Sequence, residues 1–286
     1  MPLSPTEMYP AQTPHIAVRT LTLRTGIQMR IAERGPLHGP TVVMLHGWGA
    51  LLYMYRHALE RLPLAGFRTV AVDLRGYGLS DKPTAAGSYS LIAYQADLDA
   101  LIDELGVERV ALVGQSMGGG LALRYALTRP QRVSRLALIN PSGLSAVPFL
   151  KLLQSVPTRL LDAIGPALVP RWAIAWILRH IAYNNALAVT ERDIDEYWAP
   201  TQRAGYVHAA RGALSEFDWR IISDEEARSL AVPTLVLLGE RDRLLRTTNA
   251  AAERLRETRV ERVPGAHCPH EEHPDHVYAI LADFIR

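Results

Sequence analysis

The sequence Gly-Gln-Ser-Met-Gly at residues 114–118 is the segment of this chain whose residue types and spacing point most directly to chemistry. An apolar run at 109–113 precedes it and predicts a buried strand, and the pattern at 117–128 predicts a helix. Ser116 would then lie on a tight turn, in a strained conformation that exposes its Oγ, because glycines on either side avoid Cβ clashes. Ser116 is therefore the predicted nucleophile.

Candidates for an acid and a base follow apolar runs near the end of the chain. A nucleophilic serine needs a histidine as base, and the histidine needs a carboxylate to hold its tautomer. Asp242 follows the strand predicted at 233–238, and His267 follows the strand predicted at 259–263. Both lie at the carboxyl ends of strands, where open α/β sheets carry their active sites. We therefore predict Asp242 as the acid and His267 as the base.

Two backbone N–H groups are candidates for stabilising an oxyanion, which acyl transfer to a serine requires. The N–H of Met117, directly after the nucleophile, is the first. The second is the N–H of Trp48, in the loop that follows the strand predicted at 41–45. The side chain of His46 in the same loop is expected to be structural, because the oxyanion contact in this type of loop comes from the backbone.

Five motifs, in order and at typical spacing, resemble landmarks of the α/β-hydrolase superfamily, specifically the branch of serine-nucleophile esterases and carbon–carbon bond hydrolases with a helical cap. They are Leu45-His-Gly-Trp-Gly49, Val72-Asp-Leu-Arg-Gly-Tyr-Gly-Leu-Ser80, Gly114-Gln-Ser-Met-Gly118, Gly239-Glu-Arg-Asp242 and Gly265-Ala-His267. Each motif by itself is weak evidence for the resemblance, but together the five motifs span most of the chain. The order of nucleophile, acid and base is also that of α/β-hydrolases rather than of chymotrypsin or subtilisin.

The resemblance implies an α/β fold with a mostly parallel eight-stranded sheet flanked by helices, and a helical cap inserted after the sixth strand. It also implies that residues 73–80 form a scaffold turn near the site. The resulting division is a first part of the core at 1–144, a cap at 145–230 and a second part of the core at 231–286.

The apolar periodicity of the chain agrees with this order of elements. An opening hairpin is predicted at 16–23 and 27–33, followed by strands at 41–45, 68–73, 109–113, 135–139, 233–238 and 259–263. Helical spacing is found at 54–62, 91–105, 117–128 and 247–256, and a last helix is predicted from Pro274. Strands that alternate with helices predict a doubly wound sheet.

Residues 145–230 contain no strand pattern, and their helical patterns are interrupted by prolines. The apolar stretch at 171–178 is much shorter than the roughly 20 residues that a membrane span needs. We therefore expect Trp172 and Trp176, together with Trp48, to line an apolar substrate pocket, with packing in the core as the alternative.

The charge balance gives no sign of a charged partner. The 31 basic and 29 acidic residues are interspersed and leave a net charge of +2, which does not favour nucleic-acid binding. Residues 1–10 lack the basic and apolar regions of a secretory signal. We therefore expect a cytoplasmic enzyme with a small-molecule substrate, no nucleic-acid partner, no transmembrane segment and no cofactor. The oligomeric state is not predicted.

The single cysteine, Cys268, excludes an intramolecular disulfide and is expected to pack beneath the His267 loop rather than to act as a nucleophile. Histidines 267, 270, 273 and 276 are spaced like metal ligands. Pro269 and Pro274 interrupt any helix that could align them, so surface histidines are expected and no metal site is predicted.

Hydrolysis of a carboxylic ester is the reaction that best fits these residues. A serine argues against epoxide hydrolases and haloalkane dehalogenases, whose corresponding turn carries an aspartate, and Gly49 stands where epoxide hydrolases usually have a proline. Perhydrolase and amidase activities remain open, as does a non-enzymatic role as a small-ligand receptor or scaffold.

The main enzymatic alternative is a carbon–carbon bond hydrolase acting on ring-fission products of aromatic compounds. Those enzymes share the Ser-Met-Gly-Gly sequence at 116–119 and a stretch similar to residues 140–144. Their substrates are acidic, so an inward-facing arginine would be required. The candidates are Arg124, Arg171, Arg179 and Arg203.

Overall fold

A central β-sheet organises the computed structural model, which describes residues 1–11, 13–147, 169–245 and 247–286. The strands are β1 (Ala17–Thr22), β2 (Gln28–Arg34), β3 (Thr41–Leu45), β4 (Arg68–Val72), β5 (Val110–Gln115), β6 (Val133–Ile139), β7 (Thr234–Gly239) and β8 (Thr258–Val263). Their order in the sheet is β1-β2-β4-β3-β5-β6-β7-β8. β2 pairs antiparallel with β1 and with β4, and every other pair is parallel. The prediction of a mostly parallel, eight-stranded sheet is confirmed.

Ten α-helices lie within the described residues and connect or flank these strands. They are α1 (Arg56–Arg61), α2 (Leu91–Glu104), α3 (Met117–Thr128), α4 (Arg171–Ile177), α5 (Glu191–Trp198), α6 (Tyr206–Glu216), α7 (Asp224–Ser229), α8 (Asn249–Glu253), α9 (Pro269–Glu272) and α10 (Pro274–Ile285). α3 has the predicted bounds. α8 begins later than predicted, because the side chain of Thr248 accepts from the N–H of Ala251 and caps the helix there. It also ends earlier than predicted, at Glu253.

The central strands are apolar on both faces because helices cover both sides of the sheet. All five residues of β3 are buried. Val43 and Leu45 belong to one hydrophobic cluster, and Val42 and Met44 to the other. Since successive side chains of a strand point to opposite faces, a continuous apolar run is the pattern of a strand with two buried faces.

Between β6 and β7 the described residues contain helices α4 to α7 and no strand. The helices occupy part of the segment for which the sequence predicts a cap, and residues 148–168 of that prediction lie outside the described residues. Among the helices that the structure describes, none combines the length and the hydropathy that a membrane crossing requires.

Candidate active site

Ser116 occupies the turn between β5 and α3 in a conformation that L-residues rarely adopt, with φ 52° and ψ −116°. A Cβ at Gly114 would lie 2.3 Å from the carbonyl oxygen of Gly118, and a Cβ at Gly118 would lie 2.2 Å from the carbonyl oxygen of Leu45. Only glycine therefore allows the turn to close and α3 to lie against β3. The N–H of Ser116 donates to the carbonyl of Ile139 at 3.0 Å, which fixes the strained residue to β6.

Asp242 and His267 are in direct contact. Nδ1 of His267 lies 3.0 Å from Oδ2 of Asp242, and the two side chains are only 9% and 3% exposed. The other carboxylate oxygen of Asp242 accepts from the N–H groups of Leu244 at 2.8 Å and Leu245 at 3.2 Å. The carboxylate is thus held from one side by the backbone and faces the imidazole with the other. It can fix the tautomer in which Nδ1 carries the proton and Nε2 is free to accept one.

The order of the strands brings together residues that are far apart in the sequence. β5, β6, β7 and β8 are parallel neighbours, so their carboxyl ends share one edge of the sheet. Ser116 follows β5, Asp242 follows β7 and His267 follows β8 at that edge. Nε2 of Gln115, the residue before the serine, donates to the carbonyl of His267 at 3.0 Å, which joins the serine turn to the histidine loop.

The loop after β3 lies against the serine turn. A Cβ at Gly47 would lie 3.1 Å from Cβ of Ser116 and 2.3 Å from Oε1 of Gln115, so a larger residue at position 47 would displace these side chains. Trp48 follows Gly47 directly, and Met117 is the first residue of α3, where backbone N–H groups have no partner within the helix. Trp48 and Met117, whose N–H groups are the predicted oxyanion donors, therefore lie on the two segments that meet at Ser116.

His46 and Asp73 support the backbone near this loop. Nδ1 of His46 bonds to the carbonyl of Gly47 at 2.8 Å, and Nε2 accepts from the N–H of Leu74 at 3.0 Å. Burial lowers the pKa of His46, which keeps the ring neutral. Asp73 accepts from the backbone N–H groups of Leu52 and Leu79. His46 thus makes the structural contacts expected of it, and Asp73 supports backbone in the turn at 73–80, for which the resemblance implied a scaffold role.

The three tryptophans predicted to line the pocket have different environments. Trp48 is 36% exposed, and its indole N–H donates to the carbonyl of Ala210 in α6 at 2.7 Å. Trp172 and Trp176 in α4 are 73% and 53% exposed, so their predicted role as walls of an apolar pocket gains no support. The apolar pattern of α4 could not distinguish a pocket wall from an exposed face, because that depends on what packs against the helix.

Tyr206, at the start of α6, is a residue near the site that the sequence did not indicate. It is 7% exposed, and its hydroxyl lies 3.8 Å from where a Cβ of Gly49 would be. Tyr206 and Trp48 thus bring α6 against the loop after β3. No local pattern marks Tyr206, since its position depends on how α6 packs against the sheet.

Glu272 holds the loop that carries His267 and was also missed. Oε1 accepts from the N–H of Ala266 at 2.6 Å, and Oε2 accepts from the N–H groups of Asn184 at 2.6 Å and Asn185 at 3.2 Å. The N–H of Cys268 donates to the carbonyl of Ala182 at 3.1 Å. The histidine loop is therefore fastened to the segment between α4 and α5.

Contrary to the prediction from the sequence, the histidines at 267, 270, 273 and 276 do not all lie at the surface. His273 and His276 are exposed, whereas His270 is fully buried, with its ring 5.4 Å from that of Tyr55. Expecting His270 at the surface was wrong, because the short helix α9 turns it into the core. In the described ranges, no group of three potential ligands could hold a metal ion. Cys268 is also buried, and burial raises the pKa of its thiol well above the usual value.

The buried His270 predicts a loss of stability in acid. Burial, and then the positive charge of Arg56, lower the pKa of His270 to about 3. The unfolded chain takes up this proton near pH 6.5, so the contribution of His270 is complete above about pH 6.5 and is lost as the pH falls toward 3. One such proton corresponds to a slope of at most about 1.4 kcal/mol per pH unit in the free energy of unfolding.

We expect His270→Phe to flatten this dependence, because neither ring nitrogen of His270 has a hydrogen-bond partner in the described structure and phenylalanine cannot be protonated. Urea unfolding between pH 4 and 7 measures the effect, and the exposed His276→Gln provides the control. An unchanged slope in His270→Phe would contradict the assignment.

Comparison with known proteins gives consistent matches over most of the chain. The family model for the alpha/beta hydrolase fold matches residues 40–274. Epoxide hydrolase A of Mycobacterium tuberculosis is 27% identical over 308 residues, covering 91% of this chain and 94% of that protein. Epoxide hydrolase 3 of Siraitia grosvenorii is 39% identical over 143 residues, covering 49% of this chain and 43% of the relative, so the chain spans less than half of that relative's length.

A solved structure of a meta-cleavage product hydrolase from Pseudomonas fluorescens has a TM-score of 0.78 and 20% sequence identity, and the match covers 93% of this chain and 96% of that chain. At that identity, the likeness describes the fold alone.

Proposed function

Because the chain belongs to the α/β-hydrolase fold family, we propose that it is a serine hydrolase that cleaves carboxylic esters of small, largely apolar substrates through an acyl-enzyme. The observation that carries the proposal is the 3.0 Å contact between His267 Nδ1 and Asp242 Oδ2, at the sheet edge that also bears Ser116. With Nδ1–H donating to Asp242, Nε2 can accept the proton of a serine hydroxyl.

The reaction would proceed in two steps of the same kind. Oγ of Ser116 bonds to the ester carbonyl carbon while His267 takes the hydroxyl proton, and the N–H groups of Met117 and Trp48 stabilise the oxyanion. The bond from this carbon to the alcohol oxygen breaks, and His267 returns the proton to the leaving alcohol. Water then attacks the acyl-enzyme with the same base, which releases the acid and restores Ser116.

The nucleophile argues against the epoxide chemistry in the names of the relatives. A carboxylate that opens an epoxide gives an ester, which water can hydrolyse at its carbonyl. A serine that opened an epoxide would give an ether, which has no carbonyl carbon for water to attack. Ser116 therefore favours substrates that already carry a carbonyl group.

Four arginines were candidates to bind the carboxylate of an acidic ring-fission product, and three of them form ion pairs within the protein. Arg124 is 3% exposed and lies 3.1 Å from Asp218, Arg171 lies 2.6 Å from Asp195, and Arg179 lies 2.9 Å from Glu191. The fourth, Arg203, is near Lys82, whose pKa falls to about 8 mainly because Lys82 is buried. A desolvated substrate carboxylate without a partner is costly, so the pairing of Arg124, Arg171 and Arg179 favours the ester reading. Carbon–carbon cleavage would have to bind its substrate carboxylate at Arg203 and Lys82.

The helices between β6 and β7 support a cap in this proposal, with the core at 1–144 and 231–286 and the cap at 145–230. The contacts of α6 with the loop after β3, through Trp48 and Tyr206, are where such a cap would meet the site. The intact pairing of Asp242 with His267 also favours an enzyme over a receptor or scaffold, which would need no base.

A comparison of two substrate classes on one preparation tests the proposed reaction. We expect measurable kcat/KM on short to medium p-nitrophenyl esters and a much lower value on 2-hydroxy-6-oxo-dienoates, because the latter bring a carboxylate to the site. A tenfold preference for the dienoate, about 1.4 kcal/mol in the transition state, would overturn the ester reading in favour of carbon–carbon cleavage. If neither substrate class were turned over, the result would favour a binding protein over an enzyme.

A further inference from the structure

Asn140 lies directly after β6 and uses its whole amide group on backbone partners of two other segments. It is 1% exposed. Oδ1 accepts from the N–H of Gly239 at 2.9 Å, and Nδ2 donates to the carbonyls of Ala266 at 3.0 Å and His267 at 3.1 Å. These partners also fix the orientation of the amide, because a flipped amide would place N–H against N–H and oxygen against two carbonyls.

The partners of Asn140 belong to the two segments that carry the acid and the base. Gly239 begins the turn that ends at Asp242, whose N–H donates to the carbonyl of Gly239 at 3.2 Å. The two segments touch here, since a Cβ at Gly239 would lie 2.0 Å from the carbonyl oxygen of Ala266. One buried side chain therefore bridges the start of the acid turn and the backbone of His267.

The backbone of Asn140 is also unusual, with φ 41° in the left-handed region. Asparagine is one of the few residues besides glycine that adopt this region with some frequency. Asn140 therefore combines a left-handed backbone with an amide that makes three hydrogen bonds. Gln115 donates to the same carbonyl of His267, but no described contact joins Gln115 to the acid turn.

We propose that Asn140 is a positioning residue that sets the separation of Asp242 and His267 by linking their backbones. The proposal rests on the proposed serine-hydrolase function. Small displacements of a base from its acid and its substrate have large effects on rate, whereas binding of a neutral ester depends on other contacts. Asn140 therefore acts on kcat through His267 without touching the substrate.

Asn140→Gly is the decisive variant, because glycine accepts the positive φ and removes all three side-chain hydrogen bonds. We expect kcat on a p-nitrophenyl ester to fall by about 10- to 100-fold, with KM changed by less than about threefold. A looser contact with Asp242 stabilises the protonated imidazole less, so the acid limb of the kcat/KM profile should move to lower pH.

Ser142→Ala is the matched control, since Ser142 lies two residues further along the same buried turn and its hydroxyl has no hydrogen-bond partner in the described structure. It should keep kcat and the pH profile of the wild type. Thermal unfolding of both variants separates a loss of folded protein from a loss of rate. A purely structural role of Asn140 would lower the unfolding temperature and leave the acid limb in place, and that result would overturn the proposal.

Asn140→Asp is the second variant, in case Asn140→Gly does not fold. It keeps the shape and the acceptor for Gly239 but cannot donate to both carbonyls of the histidine loop. We expect a fall in kcat of about tenfold or more with little change in KM, and an unchanged kcat would contradict the proposal. Ser116→Ala in the same assay separates the two ideas: if it stays active, the proposed function fails, whereas if only the Asn140 variants stay active, this inference alone is wrong.

Discussion

Ser116→Ala is expected to lower kcat on p-nitrophenyl esters by about 10³-fold or more while leaving the protein folded. Alanine supplies no nucleophile, and the contacts that fix this residue involve its backbone rather than its hydroxyl. Steady-state assays at saturating ester give the change in kcat, and circular dichroism checks the fold. An unchanged rate would remove Ser116 from the mechanism and would contradict the proposed function.

A second substitution separates the strain of the turn from its chemistry. Ser116→Gly should be as inactive as Ser116→Ala. It should unfold at a higher temperature than Ser116→Ala, because glycine accepts the φ of 52° without the steric cost of a side chain. Equal unfolding temperatures would argue that the turn is not strained.

Covalent labelling identifies the nucleophile independently of turnover. A fluorophosphonate should add one phosphonyl group, and peptide mapping should place it on Ser116. Cys268→Ala is the control and should be labelled like the wild type, since burial raises the pKa of the Cys268 thiol and keeps it protonated. A phosphonyl adduct on any other residue would count against the assignment.

Asp242→Asn is expected to cost on the order of 10³- to 10⁴-fold in kcat, and His267→Ala at least as much. The carboxylate of Asp242 accepts from His267 Nδ1 at 3.0 Å, whereas an asparagine can present an N–H and favour the wrong tautomer. His267→Ala removes the base that takes the proton of Ser116 in the proposed reaction. The measurement is kcat on the same ester near neutral pH.

Asp275→Asn is the matched control for Asp242, because the carboxylate of Asp275 is 91% exposed and pairs only with Arg61 in the described structure. It should retain the wild-type rate. If Asp242→Asn also retained it, another carboxylate would have to orient His267, and the acid would be wrongly assigned. The combination of Asp242→Asn with His267→Ala should cost little more than His267→Ala alone, since the two residues act as one unit.

Local patterns were enough to predict the framework of the fold. Strands with two buried faces are continuous apolar runs, and β3 and α3 have the bounds that the sequence predicts. The turn at Ser116 could be predicted because its glycines are required by close approaches within and beside the turn itself. The neighbourhood of Asp242 and His267 followed from their places after parallel strands, a rule of sheet topology rather than a measured contact.

Other features depended on packing between segments distant in the sequence. His270 looked like a surface residue, but α9 carries it into the core, where its ring lies 5.4 Å from that of Tyr55. The 73% exposure of Trp172 could not be deduced from the apolar pattern of α4 either. Periodicity shows that a helix has an apolar face, but not which neighbour covers that face.

The sequence by itself determined which residue types are available for chemistry. It also determined the order of strands and helices along the chain, because that order depends on short-range sterics and apolar periodicity. Only the tertiary structure decided that Asp242 contacts His267 at 3.0 Å, and that Asn140 and Glu272 hold the backbone on either side of the base. A hydrogen bond across 127 residues, such as that from Asn140 to His267, leaves no local pattern. It exists because the folded sheet brings the ends of β6, β7 and β8 to one edge.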